Sequence, residues 1–404
     1  MTTSTGRHKR VAFVAPRYGR SVVGGSEAVM AEAARGLAQR GHEVEVLTTC
    51  ATNHYTWANE YPEGATEEDG LTVRRFRTSH TFSRLVSIEL ERRIAAGDKI
   101  SALEEVSWLN GRLRVPGLYL HLLAHASEFD AVICSPYLFW TTIYGAAVAP
   151  ERTIVMPCLH DEHYAWLRLV RATLTEVAGV WFLSEPEHEL GHRIAPRLSP
   201  RHGVLGAAVE LPESYDPAAF RSRYALERPF VLYAGRREEG KGWFSLLRAF
   251  EAALLRHSLP FDLVTAGVGD PEIPDELTSR VIDLGYLENE ELPDAFAAAD
   301  ALLQPSANES FSRTIMESWL AGTPVVANGA GAVVNWHCER SGGGLTYLDE
   351  LELGECLAFI AEAPKSAAAL AERGREYVLA NYTWDKVIDR LEAMLASFDW
   401  AGRP

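Results

Sequence analysis

A chain of 404 residues is longer than one hydrophobic core serves and suits two α/β domains of roughly 150 to 200 residues each. Apolar residues make up 47% and charged residues 23%, which excludes the disordered and fibrous classes. The net charge of −16 supplies no overall field to draw nucleic acid, so an anionic ligand has to be held by a local set of donors.

The five cysteines, Cys50, Cys134, Cys158, Cys338 and Cys356, are odd in number, widely spaced and form no CxxC pair. They predict small buried thiols in a reducing compartment, not a disulfide framework or a zinc ribbon. Met1 to Arg10 is polar and then basic, without the apolar stretch of a signal peptide, so a cytoplasmic protein is expected.

The first strand is expected at Val11 to Ala15, followed by a loop through Gly24-Gly25, a helix from Ser26 to Arg40 closed by Gly41, and a strand from Glu43 to Thr48. That is a βαβ unit with a glycine C-cap. Further strands are expected at Thr72 to Phe76, Ala131 to Ser135, Thr153 to Pro157, Gly179 to Leu183 and His202 to Leu205, with helical stretches between them. Strands alternating with helices imply a mainly parallel, doubly wound sheet. Residues 79–125, rich in Arg, Glu and Leu, read as an inserted helical region. Ala131 to Ala149 carries no charge and nears the length of a membrane span, but Ser135-Pro136 and Gly145 break it. A buried strand, a turn and a buried helix are expected there.

A second series of strands is expected at Phe230 to Gly235, Phe261 to Ala266, Arg280 to Asp283, Ala301 to Gln304 and Pro324 to Ala327. Gly206 to Pro229, interrupted by Pro212 and Pro217, reads as the linker. The expected division is residues 1–207, residues 208–380, and a final helix over 381–404 that packs back on the first domain. Two such domains are expected to face a cleft at the carboxyl ends of their sheets, where open α/β folds bind ligands.

The motifs of the second domain fall at strand ends. Gly235-Arg236-Arg237-Glu238-Glu239-Gly240-Lys241-Gly242 joins a strand to a helix and suits a diphosphate, which needs fixed positive charge and backbone N–H donors. Glu309-Ser310-Phe311-Ser312-Arg313-Thr314-Ile315-Met316-Glu317 carries two glutamates eight residues apart. At about 100° per residue they lie within roughly 80° of each other if the helix reaches back that far. Two carboxylates so placed accept hydrogen bonds from sugar and ribose hydroxyls. Gly267-Val268-Gly269, Leu284-Gly285-Tyr286-Leu287 and Gly322-Thr323-Pro324 complete the ordered set.

With these motifs in this order from Phe230 to Gly344, and Asn381-Tyr382-Thr383-Trp384 before the last helix, the second domain resembles the family 4 retaining glycosyltransferases of the GT-B fold. The resemblance implies two Rossmann-like domains. It gives Arg236 and Lys241 to the donor diphosphate, together with the Phe311, Ser312 and Arg313 segment, Glu317 to the ribose, Glu309 to sugar hydroxyls, and Tyr286 and Leu287 to the base. The family commonly has Gly-Phe-Gly-Leu after the first glutamate, where this chain has Ser310-Phe311-Ser312-Arg313.

In the first domain Gly24-Gly25 opens a helix, as a plain turn capped by Ser26 or as a place for backbone N–H groups to meet a phosphate or acceptor hydroxyl. The resemblance favours the second. It also gives His160, in Pro157-Cys158-Leu159-His160-Asp161-Glu162-His163, the place facing the donor sugar, with Asp161 as its partner. His160, Glu162 and His163 lack a third metal ligand at a convincing spacing. His188-Glu189-Leu190-Gly191-His192 matches HExxH, with Glu210 or Glu213 as candidate third ligand, but its short helix reads as a chance match to the zinc-protease motif.

The function expected is therefore transfer of a sugar from a nucleotide-diphosphate sugar to an acceptor hydroxyl, with retained configuration. No DxD occurs in the chain, and neither metal nor cofactor is expected. The acceptor is a sugar, a lipid-linked molecule or a small molecule. An epimerase or phosphorylase of the same fold, a non-catalytic nucleotide-sugar-binding protein and a zinc peptidase are the competing readings. The run Arg74-Arg75-Phe76-Arg77 reads as solvated charge, with peripheral contact to an anionic membrane face as the alternative.

Overall fold

The computed structural model describes residues 8–19, 22, 24–79 and 84–398. The expectation of no export signal drew on residues 1–10, of which 1–7 lie outside the described residues, as do 80–83 of the inserted helical region. Two compact units emerge: Met1–Ala208 with Trp384–Pro404, and Val209–Thr383. The divisions fall one and three residues beyond the expected 207/208 and 380/381.

Among its described residues the first unit holds eight strands: β1 (Arg10–Val14), β2 (Glu43–Thr49), β3 (Gly64–Glu68), β4 (Leu71–Phe76), β5 (Ala131–Cys134), β6 (Thr153–Val155), β7 (Gly179–Phe182) and β8 (His202–Val204). Their order is β3-β4-β2-β1-β5-β6-β7-β8. β5, β6 and β7 are buried at every position, as strands covered on both faces must be, and so read as continuous apolar runs. β3 was not expected. It is an exposed strand paired antiparallel to β4, and Asp69 and Gly70 between them both take positive φ, as a two-residue hairpin turn requires.

The inserted region forms the helices Arg84–Ala95, Ala102–Arg112 and Pro116–His125. The uncharged stretch is β5 followed by the helix Trp140–Val148, and no described helix is long and apolar enough to cross a membrane. Two arginines of the run read as solvated charge are engaged within the protein, whereas Arg77 is exposed. Arg74 Nε donates to Glu45 at 2.8 Å, and Arg75, only 2% exposed, pairs with Glu68 and lies over the Tyr61 ring. The final helix Trp384–Ala396 packs on the helix Gly25–Gln39, where Ile388 occupies the space a Cβ on Gly36 would fill. Arg40 reaches its Asp385 and Asp389 at 2.9 and 3.0 Å.

The second unit holds β9 (Phe230–Ala234), β10 (Asp262–Ala266), β11 (Val281–Asp283), β12 (Ala301–Gln304), β13 (Val325–Asn328) and β14 (Gly344–Tyr347). All pair in parallel, in the order β11-β10-β9-β12-β13-β14. Strand order therefore runs outward from β9 and reverses between β9 and β12. Behind this sheet the helix Arg313–Leu320 packs on Pro364–Asn381, where Trp319 is fully buried and lies directly over Gly374. A Cβ on Gly374 would overlap the indole, and overpacking of this kind costs about 1–3 kcal/mol, against about 1 kcal/mol gained in helix propensity. Gly374→Ala is therefore expected to lower the urea midpoint of unfolding; an unchanged or raised midpoint would contradict this packing.

Candidate active site

Doubly wound sheets bind ligands beyond the carboxyl ends of their strands, at the point where strand order reverses. In the second unit that point is flanked by the segments after β9 and β12. After β9 the chain makes a short turn, Glu239–Lys241, and enters the helix Trp243–Arg256 through Gly242 at φ 74°. A Cβ on Gly242 would stand 2.6 Å from the Pro305 carbonyl oxygen, one on Gly269 would stand 2.8 Å from that of Arg237, and one on Gly267 would overlap that of Gly235. The glycines at 242, 267 and 269 thus let the loops after β9, β10 and β12 close on one another.

Across this junction Lys241 Nζ donates to Glu309 Oε1 at 2.8 Å, with both side chains mostly buried. Arg236 pairs with Glu238 at 3.1 Å and remains 40% exposed. Its neighbour Arg237 turns inward, donating from Nε to the Gly269 carbonyl at 3.0 Å and standing 3.1 Å from Asp283. Of the two adjacent arginines, Arg236 is thus the one with its guanidinium available to a ligand.

The shared-face expectation for Glu309 and Glu317 fails. The helix is Arg313–Leu320, so Glu309 lies before it and meets Lys241, while Glu317 sits one turn inside and accepts from Arg313 at 3.2 Å. Ser312 is at the N-cap but makes no side-chain cap bond; its hydroxyl accepts from Gln304 Nε2 at 2.8 Å. Its φ of 66° is the left-handed conformation that favours glycine, at a place where the family commonly has one. Phe311 is 3% exposed and packs edge-on against His337 and Tyr382, so only its backbone is left to face a ligand. Tyr286 is exposed and Leu287 buried, which leaves the tyrosine ring as the contact surface of that pair.

Two supporting residues escaped the sequence reading. Gln304 ends β12 and holds the segment after it, donating to Ser312 and Thr314 and accepting from the Ser306 N–H. Its signal was a polar residue closing an apolar strand. His337 is fully buried, and burial pushes its pKa down to about 3. It is therefore a neutral ring that braces the segment from below, with the Tyr377 hydroxyl 3.0 Å from its Nδ1.

In the first unit strand order reverses between β1 and β5. Gly24 is the N-cap of the helix Gly25–Gln39, with no side-chain cap bond. A Cβ there would overlap the Glu27 carboxylate, whereas nothing stands within 4 Å of one on Gly25. Glu27 forms a buried ion pair with Arg17, whose Nη1 also donates to the Thr52 carbonyl at 3.0 Å. Ser26 donates its hydroxyl to Glu27 at 2.7 Å, so the glycine pair rests on a braced ionic platform and Ser26 is not the cap.

His160 follows β6, with Nδ1 3.9 Å from Glu162, whose carboxylate accepts from the Tyr137 hydroxyl. Asp161, expected as the partner of His160, is engaged elsewhere: it accepts from Arg193 at 2.7 Å and from Trp166 at 3.1 Å. Burial pushes the Asp161 carboxyl up, but these hydrogen bonds and the Arg193 charge hold it below the usual carboxylate range. His163 bonds the Ala95 carbonyl, and among the described residues His160, Glu162 and His163 form no shared metal group. A pocket lined by Ala95, Asp161, Glu162, His163, Tyr164 and Trp166 opens beside this segment.

The segment leading to His160 is held by Glu187, only 1% exposed. Its carboxylate accepts from the backbone N–H of Leu159 at 2.7 Å and of Leu183 at 2.6 Å, so it ties the segments after β6 and β7 together. Burial pushes this carboxyl up to about 8 against the pull of those N–H donors. The signal was Ser184-Glu185-Pro186-Glu187, a helix-start box whose serine accepts from the Glu187 N–H. Leaving a buried donor unpaired costs about 1–3 kcal/mol, so Glu187→Ala is expected to lower the denaturation midpoint strongly. A midpoint equal to wild type would show that Glu187 does not carry this segment.

Comparison with known proteins agrees with this geometry. Residues 228–352, which contain the segments after β9, β10 and β12, match the family model for glycosyl transferases group 1. The D-inositol 3-phosphate glycosyltransferase 1 of Catenulispora acidiphila is 27% identical over a 422-residue alignment that covers 94% of this chain and 92% of that protein. The 2-deoxystreptamine glucosyltransferase of Streptomyces kanamyceticus is 27% identical over 234 residues, 52% of this chain and 57% of that protein's length. Among solved structures, Anabaena HepE in complex with UDP-glucose superposes with a TM-score of 0.70 at 18% identity, covering 97% of this chain and all of that one. Residues 228–352 are a glycosyltransferase group 1 domain, in a chain built on the GT-B fold.

Proposed function

We propose that the chain transfers a sugar from a nucleoside-diphosphate sugar to an acceptor hydroxyl, with retention of anomeric configuration and without a metal ion in the donor site. The observation that carries this reading is the ion pair between Lys241 and Glu309, 2.8 Å apart, where strand order reverses between β9 and β12. It offers an ammonium for a diphosphate and a carboxylate for sugar hydroxyls, side by side. Arg236 adds a second cation on the same segment. The UDP-glucose bound by the structural neighbour HepE supports the donor class.

In the reaction the bond between the anomeric carbon and the leaving diphosphate oxygen breaks, a bond to the acceptor oxygen forms, and the acceptor's proton passes to the departing diphosphate, which leaves as the nucleoside diphosphate. Negative charge grows on the diphosphate, and Lys241, Arg236 and the backbone of Phe311, Ser312 and Arg313 stabilise it. Because Lys241 and Glu309 already hold each other, little ordering remains when the donor arrives. Glu317 takes the ribose hydroxyls and the exposed Tyr286 ring takes the base. His160, with Gly24 and Gly25, serves the sugar and acceptor. The acceptor is a sugar, a lipid-linked molecule or a small molecule, and the proposed setting is the cytoplasm.

Removing one preorganised donor from a developing anion typically costs about 10²–10³-fold in rate, or about 2.7–4 kcal/mol. Lys241→Ala is expected to lower kcat/KM by that factor, measured as sugar transfer with chelator present, and near wild-type transfer would sink the assignment. In the same assay, nuclear magnetic resonance of the wild-type product should show an α-linked sugar from an α-linked donor. A β-linked product would overturn retention, and binding of the nucleotide donor abolished by chelator would overturn metal independence of the donor site.

A further inference from the structure

The motif His188-Glu189-Leu190-Gly191-His192 has no part in the proposed transfer, and the fold gives it a third partner. The helix Glu185–Ile194 sets His188 and His192 four residues apart on one face. The register of β8 on β7 places His202 opposite Val180, beside that face. His188 Nε2 lies 2.9 Å from His202 Nδ1 and 3.1 Å from His192 Nε2, and ligand atoms of all three fall within 4.8 Å of one another. Among the described residues this is the group of three His, Cys, Asp or Glu side chains close enough to share one ion. The third member is His202, not the Glu210 or Glu213 that the sequence offered.

Three converging imidazoles make a poor hydrogen-bond network. Each neutral ring has one N–H and one lone pair, and His188 Nε2 faces two other ring nitrogens with a single proton or a single lone pair. A cation resolves the conflict by taking one lone pair from each ring. Zinc–nitrogen bonds of about 2.0–2.1 Å in a tetrahedral arrangement separate ligand nitrogens by about 3.3–3.4 Å, a few tenths of an ångström beyond the two closest spacings. Glu185 Oε2 stands 3.4 Å from His188 Nδ1, the outer carboxylate that commonly orients a metal-bound histidine. The Phe182 ring packs against His188 with centroids 5.1 Å apart, which limits how far the imidazole can swing.

We propose that His188, His192 and His202 bind one divalent transition-metal ion, zinc by ligand type, which clips the helix Glu185–Ile194 to β8. Imidazole ligands select late first-row ions over magnesium and calcium. Among the described residues β8 is three residues long, lies at the end of the sheet and pairs only with β7, so a cross-link to the preceding helix gives it a second attachment. His192 is exposed, which leaves the fourth position to solvent. This site is separate from the donor-site residues of the second unit and stands whether or not the transfer reading holds.

The test uses the full-length chain, stripped with chelator and titrated with zinc ions against a chromophoric chelator. One ion per chain is expected, together with a higher thermal midpoint, and cobalt ions should give the visible absorption of a four-coordinate site. His192→Ala, which changes an exposed ring, and His202→Asn should each weaken binding at least tenfold, with far-ultraviolet dichroism confirming that both remain folded. Stoichiometry well below one, or zinc binding unchanged in the His192→Ala/His202→Asn double variant, would overturn the proposal.

Discussion

The reversal of strand order between β9 and β12 is the constraint on which the candidate donor site depends. Connections on the two sides of such a reversal cover opposite faces of the sheet, so the segments leaving the two strands part and a crevice opens beyond their carboxyl ends. Lys241 comes from one segment and Glu309 from the other, and their 2.8 Å contact joins positions 68 residues apart. A cation and a carboxylate so held are mostly withdrawn from water, where a charge is more effective on a ligand than at an open surface.

The crevice keeps its shape because backbone packs on backbone at one end and aromatic rings pack at the other. Gly242, Gly267 and Gly269 admit contacts that any side chain would block. On the other side Phe311 is wedged among His337 and Tyr382, while Gln304 holds Ser312 and Thr314 from the end of β12. Arg237 completes this frame by joining the segment after β9 to Gly269 and Asp283. The residues that would touch a donor are few, and most of the neighbouring residues keep those few in place.

Much of the fold was legible because strands covered on both faces must be continuously apolar, as β5 and β7 are. β3 was missed because Gly64–Glu68 is exposed and carries no such run, and β14 because it opens on Gly344 and is only half-buried along most of its length. The glycine-rich and glutamate-bearing segments were visible as motifs, yet how their side chains pair was not. Periodicity put Glu309 beside Glu317 on a helix, whereas the chain enters that helix only at Arg313, and no local pattern announces a contact across 68 residues. The adjacent arginines show the same limit: Arg236 stays at the surface and Arg237 is buried, a difference set by β10 and β11 and not by their own neighbours. In the first unit the positions of His160 and Gly24 were readable, but the bracing by Glu187 and Arg17 depends on contacts between separate segments.

The measurement that bears most directly on the central claim is a thermal-shift titration of the full-length chain with UDP, GDP, ADP and dTDP in the presence of chelator, repeated on Lys241→Ala. A nucleotide at 100 times its dissociation constant adds about 2.7 kcal/mol to the stability of the unit that binds it. A clear upward shift with one of the four, reduced or lost in Lys241→Ala, is the result expected of a metal-free diphosphate site at the β9–β12 reversal. No shift with any of them, or an equal shift in the variant, would contradict it.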